Sequence, residues 1–335
     1  MSNTASSNIP KLHEAFRGSF DIGAAVNPRT IVQAGDLIAK HFNSITAENE
    51  MKFVSVHPAE DTYTFENADK IADFAQKHGL KLRGHTLVWH NQTSDWLFQN
   101  KSGGLIDRET LFARLKSHID TVVGRYKDKI YAWDVVNEVI SDEGQELLRP
   151  TKWTEVAGDS FIKKAFELAH TADPNAILFY NDYNESNPIK REKIYTLVKS
   201  LLDQGTPIHG IGLQAHWNVT SPGLDDIRAA IERYASLGLT LQITEMDVSM
   251  FEHDDRRTDL TEPTERMIML QNERYEQMFN LFREYKKHIS AVTFWGAADD
   301  YTWLDNFPVR GRKNWPMLFD TKQQPKGAFW KVIGQ

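Results

Sequence analysis

The chain has 335 residues, of which 41% are hydrophobic and none is cysteine. That length suffices for one large α/β domain, and the lack of cysteine excludes disulfides and thiolate metal sites. The formal net charge of −7 argues against a general polyanion binder, so we expect no nucleic-acid partner, and a neutral small molecule or polymer stays open.

The start of the chain is polar and has neither the basic first segment nor the apolar core of a signal peptide. We expect residues 1–12 to form a flexible tail and residues 13–335 to form one domain. No run of eighteen apolar residues follows, so no membrane span or membrane partner is expected. These features favour a cytoplasmic protein, and they leave the oligomeric state open.

Short apolar runs alternate with longer helical patterns along the chain. The run over residues 130–136 is rich in β-branched and aromatic residues and nearly continuous, which is typical of a parallel strand covered on both faces. Eight strands are predicted in this way, at residues 20–25, 44–47, 82–88, 130–137, 177–181, 210–215, 240–245 and 291–296.

The segments between these strands carry helix signals. Asp107 is a predicted N-cap for a helix whose apolar residues recur three or four apart as far as Tyr126. Asn187 and Pro188 open another helix, which ends near Gly205. Further helices are predicted at residues 67–77, 160–170, 265–287 and 326–333. Eight repeats of strand and helix predict a single (β/α)8 TIM barrel of the α/β class.

Two of the predicted strands end in a glutamate. The fourth strand ends at Asn137 and Glu138, and the seventh ends at Glu245. A carboxylate at the end of a buried strand is costly to bury, so Glu138 alone is either a cap, a salt-bridge partner or an acid or base facing a cleft. The repetition of this design in a second strand favours the cleft.

The C-terminal ends of the strands form the active-site face of a TIM barrel. The loops at the opposite ends of the predicted strands are short turns, whereas the residues at or just after the C-terminal ends are all polar or aromatic. They are Glu48, Asn49, Lys52, His85, Trp89, His90, Asn137, Glu138, Asn181, Asp182, Tyr183, Gln214, His216, Glu245, Asp247 and Trp295.

These side chains suit the hydrolysis of a sugar. Two carboxylates across a barrel mouth can flank a glycosidic bond, one protonating the leaving oxygen and the other attacking the anomeric carbon. Amides, a lysine, histidines and indole faces fit a neutral ligand rich in hydroxyl groups. The sequence contains no glycine-rich phosphate loop and no other sign of a cofactor, so we predict neither a cofactor nor a metal.

At the same positions the sequence resembles the endo-β-1,4-xylanases of glycoside hydrolase family 10. The resemblance extends from about residue 20 to residue 333 and implies an intracellular-type enzyme that cleaves β-1,4-xylosidic bonds with retention, by double displacement. It rests on seven ordered motifs at strand ends, over residues 46–52, 83–90, 133–138, 180–183, 212–216, 243–247 and 293–296.

The resemblance implies that Glu138 is the acid/base and Glu245 the nucleophile. Glu138 must start protonated, and the nearby charge of Glu245 helps to raise its pKa; retention requires the two carboxyl groups to lie about 5–5.5 Å apart. By resemblance, Asn137 donates to the 2-hydroxyl of the reacting sugar, His216 holds Glu245, and Asp247 holds His216. The alternatives are an amide that satisfies loop backbone for Asn137 and an ordinary core histidine for His216.

The resemblance also implies a set of substrate-binding residues. Those around the reacting sugar are Lys52, His85, Trp89 and Gln214, and those at the next sugar towards the non-reducing end are Glu48, Asn49 and Gln92. For Lys52 and Glu48 a surface ion pair is the alternative. Tyr183 is the implied platform for the leaving sugar, with ordinary rim packing as its alternative.

Trp295 and Trp303 are expected to roof the site. A bulky indole near C5 leaves little room for a hydroxymethyl group, which would favour xylose by exclusion. Two long loops, at residues 251–262 after the seventh strand and 299–316 after the eighth, are expected to wall the cleft. Arg310 or Arg312 would then limit which decorated chains enter, although a solvated surface run is the alternative.

Three other functions compete with a xylanase. A retaining barrel glycosidase acting on glucan or mannan would share the carboxylates. A metal-dependent barrel hydrolase would use His85, His90 and His216, but the first strand lacks the paired histidines expected there. A silent sugar-binding barrel is disfavoured by the presence of both carboxylates. Because polymeric xylan does not cross a membrane, a cytoplasmic enzyme would act on imported xylo-oligosaccharides.

Overall fold

Parallel strands form the centre of the molecule in a computed structural model that describes residues 8–334. Each strand pairs in parallel with its neighbours along a single ladder. The bounds are β1 (Asp21–Val26), β2 (Ser44–Ala47), β3 (Lys81–Val88), β4 (Ala132–Asn137), β5 (Ile177–Asp182), β6 (Gly210–Leu213), β7 (His216–Asn218), β8 (Thr240–Ser249) and β9 (Ile289–Phe294).

The ladder closes into a barrel because β6 pairs with β8 as well as with β5. Strand β7 pairs with the outer part of β8 and continues the path of β6 beyond Gln214 and Ala215. Ala215 interrupts the strand because its backbone is left-handed, with φ of 60°. β6 and β7 therefore share one barrel position. The eight-stranded barrel is confirmed, while β6 ends two residues before the predicted end at residue 215 and the short strand β7 was not predicted.

Helices connect the strands on the outside. Their bounds are α1 (Leu12–Ala15), α2 (Thr30–Gln33), α3 (Gly35–His41), α4 (Phe53–Val56), α5 (Glu66–His78), α6 (Arg108–Arg125), α7 (Lys152–Ala157), α8 (Ser160–Ala172), α9 (Pro188–Asp203), α10 (Leu224–Ala235), α11 (Glu265–Glu284) and α12 (Gly327–Ile333). The predicted caps are confirmed: Asp107 accepts from the amide of Thr110, and Asn187 accepts from two amides of the first turn of α9. α11 ends three residues before its predicted end, at Glu284.

A buried ion pair lies inside the barrel, below the C-terminal ends of the strands. Arg83 on β3 is fully buried and donates to both carboxylate oxygens of Asp134 on β4, at 3.0 and 2.7 Å. Gly84 makes room beside it, since a Cβ at this position would overlap the indole of Trp133. A buried charge persists only when it is paired and hydrogen-bonded, and Arg83 provides this pairing for Asp134. The same carboxylate also contacts the imidazole of His85.

The residues just before position 13 contact the core. Leu12 is buried and Ile9 packs against the core, so this part of the predicted tail at residues 1–12 is not a flexible tail. Residues 1–7 lie outside the described part. No helix in residues 8–334 is long and apolar enough to span a membrane.

The two long loops lie against each other. Arg312 donates to the carbonyl oxygens of Asp255 and Arg257 at 2.6 and 3.4 Å, and its guanidinium lies 3.9 Å from the ring centroid of Phe251. Arg312 is only 3% exposed. Arg312 is therefore not available to screen decorated chains, because its guanidinium holds the two loops together. Of the two arginines named in that prediction, only Arg310 is exposed.

Candidate active site

The two predicted catalytic carboxylates lie at the C-terminal end of the barrel. Glu138 follows β4 directly and adopts a left-handed backbone with φ of 57°, and its amide donates to the carbonyl of Asn181 at 2.9 Å. A non-glycine residue in this conformation is strained, and such strain concentrates at functional sites. Glu245 lies within β8, which extends to Ser249 rather than ending at residue 245 as predicted.

Glu138 is buried and receives two side-chain hydrogen bonds. Trp89 donates its indole N–H to Oε2 at 2.8 Å, and Gln214 donates its amide to Oε1 at 3.0 Å. Burial raises the pKa of Glu138, and the charges of Asp182 and Glu245 raise it further, against the two hydrogen bonds. Glu138 is thus disposed to carry a proton.

Glu245 lies in the opposite electrostatic setting. Its Oε2 is 2.8 Å from Nε2 of His216, and its Oε1 accepts from the amide of Asn181 at 3.0 Å and lies 3.6 Å from Nε2 of His85. Burial alone would raise the pKa of Glu245, but His85 and His216 outweigh it and lower the pKa. Of the two carboxyl groups, Glu138 is therefore the one disposed to carry a proton, and Glu245 is the one disposed to be ionised.

His216 links Glu245 to a further carboxylate. Its Nδ1 lies 3.0 Å from Oδ2 of Asp247, and Trp303 donates to the same oxygen at 2.8 Å. Burial lowers the pKa of His216, but the charges and hydrogen bonds of Asp247 and Glu245 raise it to about 10. A doubly protonated imidazole can donate to both carboxylates, and this chain of contacts fixes the orientation of Glu245.

Asn137 is oriented by two amides. Its Oδ1 accepts from Asn181 at 3.0 Å and from Gln214 at 3.2 Å, while Thr244 donates to Oδ1 of Asn181 at 2.6 Å. Since Oδ1 of Asn137 is occupied twice, its amide nitrogen is the group left to donate to a ligand. Asn181 contacts both Asn137 and Glu245 and so sets their relative position.

Two of the three residues assigned to the second sugar contact Lys52. Its ammonium donates to Asn49 at 2.9 Å and to Gln92 at 3.1 Å and lies 4.8 Å from the ring centroid of Trp89. Glu48 accepts instead from Asn27 at 3.0 Å and from Tyr301 at 3.2 Å. Lys52 and Glu48 are 6% and 7% exposed, so they do not form the surface ion pair considered as the alternative.

Aromatic rings cover the centre of the site. Trp295 lies edge-on to His85, with ring centroids 5.4 Å apart, and 6.4 Å from His216. The ring centroid of Trp303 lies 4.9 Å from that of His216. His85 is held from below, since its Nδ1 is 2.8 Å from Oδ2 of Asp134. Both indoles thus lie against imidazoles that contact Glu245.

Lys52 follows β2, Glu138 follows β4 and Tyr183 follows β5. In the order of the barrel strands, Tyr183 and Lys52 therefore lie on opposite sides of Glu138. The hydroxyl of Tyr183 donates to Asp142 and accepts from Arg149 at 2.9 Å. The ammonium of Lys190 lies 3.7 Å from the centroid of its ring. Sequence reasoning missed these three charged partners, because each lies in a loop or helix with no strand-end signal.

One group of potential metal ligands occurs within residues 8–334. Donor atoms of His85, Asp134 and Glu245 lie within 4.8 Å of one another. The guanidinium of Arg83 already occupies both oxygens of Asp134, however, and His85 and Glu245 have the partners described above. His90 and His216, the other two histidines of the metal-dependent alternative, are not part of this group. The donor chemistry therefore favours a hydrogen-bonded network.

Other residues of the network were also missed in the sequence. Arg83 and Asp134 lie inside predicted strands, and Thr244 immediately precedes Glu245. The available signal was a charge within a buried strand. Asn181 lies at a predicted strand end, but no role was predicted for it.

Comparison with known proteins identifies the family. Residues 11–335 match the model of glycosyl hydrolase family 10. The chain belongs to this family. Endo-1,4-beta-xylanase B of Paenibacillus barcinonensis is 62% identical to this family 10 chain over 330 residues, which cover 98% of the chain and 99% of the relative. An endo-1,4-beta-xylanase of Geobacillus stearothermophilus is 60% identical over 328 residues, with coverage of 98% and 99%.

Solved structures agree with the family. The crystal structure of xylanase XynB from Paenibacillus barcinonensis with a conduramine derivative superposes with a TM-score of 0.97 at 62% identity, covering 98% of this chain and 100% of that one. An endo-1,4-beta-xylanase from Caldicellulosiruptor owensensis superposes with a TM-score of 0.96 at 52% identity, with coverage of 98% and 100%. The (β/α)8 fold expected from the sequence is therefore confirmed by the relatives as well.

Proposed function

We propose that the protein is an endo-1,4-β-xylanase that hydrolyses β-1,4-xylosidic bonds by a retaining double displacement. The observation that carries this proposal is the opposite perturbation of two buried carboxyl groups at one barrel mouth: the pKa of Glu138 is raised and that of Glu245 is lowered. Relatives more than 60% identical over nearly the whole chain are named endo-1,4-beta-xylanases.

In the first step, Glu138 gives its proton to the glycosidic oxygen while the carboxylate of Glu245 attacks the anomeric carbon. The bond from that carbon to the glycosidic oxygen breaks, and the leaving sugar departs with a new hydroxyl group. The product on the enzyme is a glycosyl ester of Glu245. His216 holds the attacking carboxylate through Oε2, which leaves Oε1 on the side of His85 and Asn181.

In the second step, water replaces the leaving sugar. The ester has removed the charge of Glu245, so one cause of the raised pKa of Glu138 is gone, and Glu138 can act as a base. It takes a proton from water as the water oxygen attacks the anomeric carbon and releases Glu245. Two inversions give net retention. We predict a carboxyl separation of about 5–5.5 Å, which this chemistry requires.

Preference for xylose is supported by the aromatic roof. Trp295 lies close to both His85 and His216, so its indole borders the position of the reacting sugar. An indole there would exclude the hydroxymethyl group of a hexose. Xylose would then be preferred because hexoses clash with the indole, and not because xylose makes additional contacts. Asn137 would donate its free amide to the 2-hydroxyl of that sugar.

We propose xylan-derived oligosaccharides as the substrate. The cleft is formed by amides, indoles and a buried lysine, which suit a neutral, hydroxyl-rich chain. The cytoplasmic location stays a prediction, and fractionation of cells that express the full gene would test it.

A product time course on xylotetraose, cellotetraose and mannotetraose tests the function. Rapid loss of xylotetraose alone, unchanged by EDTA and abolished in Glu245→Ala, is the expected result. Glu273→Ala, which removes an exposed carboxylate on α11, is the control and should leave the rate unchanged. Preferred cleavage of another tetraose would contradict the roof argument, and inactivation by EDTA would favour the metal-dependent alternative.

A further inference from the structure

A charged cluster borders the acid/base on the side of Tyr183. The Lys190 cluster consists of Asp142, Arg149, Asp182, Tyr183 and Lys190. The ammonium of Lys190 lies 2.8 Å from Asp142 and 3.0 Å from Asp182, and the side chain is 3% exposed. A lysine is almost never buried to this extent unless it is fully paired, and here the two carboxylates pair with the ammonium.

The position of Lys190 in its helix makes this placement more unusual. Lys190 lies in the first turn of α9, where the helix dipole disfavours a cation. Asn187 already caps the amides of this turn, so Lys190 is not required for the helix to begin. Its charge is instead balanced by two carboxylates, those of Asp142 in the loop after β4 and of Asp182 at the end of β5.

Tyr183 is fixed by the cluster from two directions. Its hydroxyl contacts Asp142 and Arg149, and one face of its ring is covered by the Lys190 ammonium at 3.7 Å. Arg149 also donates to the backbone carbonyl of Glu138 at 3.3 Å. The guanidinium carbon of Arg149 also lies 5.9 Å from the centroid of the Tyr183 ring, so the ring and the acid/base are held in one frame.

Asp142 connects this frame to a loop that is otherwise exposed. Burial raises the pKa of Asp142, but hydrogen bonds from Lys190, Tyr183 and Arg149 lower it to about 2, so it is ionised. Lys193, one turn further along α9, donates to the carbonyls of Ser141, Glu143 and Gly144. Two lysines thus hold the loop, but the ammonium of Lys190 also touches Tyr183 and that of Lys193 contacts only loop carbonyls.

We propose that Lys190 is a positioning residue for the leaving half of the substrate. It fixes the Tyr183 ring through Asp142 and by direct contact, so that the ring is already ordered when the sugar whose glycosidic oxygen Glu138 protonates binds beside it. Pre-ordering a binding side chain reduces the conformational freedom lost when the substrate binds. This inference rests on the proposed function, since it assigns Tyr183 to the leaving sugar.

The test compares two substrates in Lys190→Met, which keeps the length and apolar character of the side chain and removes its charge. For xylotetraose, kcat/KM should fall about tenfold or more, mainly through KM. For 4-nitrophenyl β-xylobioside, whose leaving group is not a sugar, it should change less than about threefold. Lys193→Met, which removes the loop contacts alone, should change neither value by more than about threefold.

The outcomes distinguish a failure of the positioning role of Lys190 from a failure of the proposed function. If wild-type protein does not cleave xylotetraose, the proposed function fails first. If the wild type is active and Lys190→Met loses both activities equally, or loses neither, the positioning role is overturned. If Lys190→Met does not fold, Asp142→Asn takes its place, because Asp142 is the more exposed carboxylate that contacts both Lys190 and Tyr183. Asp142→Asn should also lose activity on xylotetraose selectively. An equal loss on both substrates, or no loss on either, overturns the proposal.

Discussion

Replacing His41 with asparagine should remove part of the acid sensitivity of the barrel. His41 ends α3 and is 2% exposed, and its Nδ1 accepts a hydrogen bond from the backbone amide of Leu12 at 3.2 Å. The rings of Phe319 and Phe329 lie against it, with centroids 4.7 and 5.8 Å away. Burial lowers the pKa of His41 from 6.5 to about 4, so the folded protein keeps this imidazole neutral.

The size of the effect follows from proton linkage. Between pH 6.5 and 4 the unfolded chain binds a proton at this position that the folded chain does not, so stability falls as the pH falls through this window. For one group with these two pKa values, the loss between pH 7 and pH 5 is about 2 kcal/mol. Asparagine retains an acceptor for the amide of Leu12 but does not titrate, so His41→Asn should not show this part of the loss.

Urea unfolding at pH 7, 6 and 5 measures the difference. The lost ring contacts lower the stability of His41→Asn at every pH, whereas the decline from pH 7 to pH 5 should be about 2 kcal/mol smaller than in wild type. His253→Asn, which removes an exposed histidine, should decline like wild type. Equal declines in wild type and His41→Asn would refute the account of a buried neutral histidine.

Other predictions concern the site and the barrel. In steady-state assays, Glu138→Gln should lower kcat on xylotetraose about 10²- to 10⁴-fold. It should lower kcat less on an aryl xylobioside with an activated leaving group, because only a sugar leaving group needs a proton on its oxygen in order to depart. The profile of kcat/KM against pH should be a bell, with its acid limb set by the lowered pKa of Glu245 and its alkaline limb by the raised pKa of Glu138; a single limb would contradict this. Gly84→Ala should destabilise the protein towards urea by about 1–3 kcal/mol or more through overlap with Trp133. Gly124→Ala, in α6 with open space around it, should stabilise it by about 0.4–1 kcal/mol.

The fold could be predicted because its signals are local. The caps Asp107 and Asn187 contact amides two or three residues away, and the strands are recognisable as short apolar runs. The break at Ala215 could not be predicted, since nothing in the sequence marks an alanine that adopts a left-handed backbone. The burial of Arg312 could not be predicted either, because its partners are backbone carbonyls of another loop, which carry no sequence signal.

The site was predictable to the extent that it lies at strand ends. Glu138 and Glu245 could be found by position in a barrel. Lys190 could not, because on a helical pattern it looks like any solvated lysine, and its burial depends on carboxylates from two other segments. Residues that act through a contact distant in sequence were missed, and residues that face the cleft from a strand end were found.

The configuration of the first-formed product tests the central claim most directly. Hydrolysis of xylotetraose is followed by ¹H NMR within the first minutes, before mutarotation equilibrates the anomers. Glu138 and Glu245 acting by double displacement predict that the β-anomer of the newly formed reducing end appears first and the α-anomer follows slowly. Initial release of the α-anomer would mean a single displacement by water, and would contradict the assignment of Glu245 as a nucleophile.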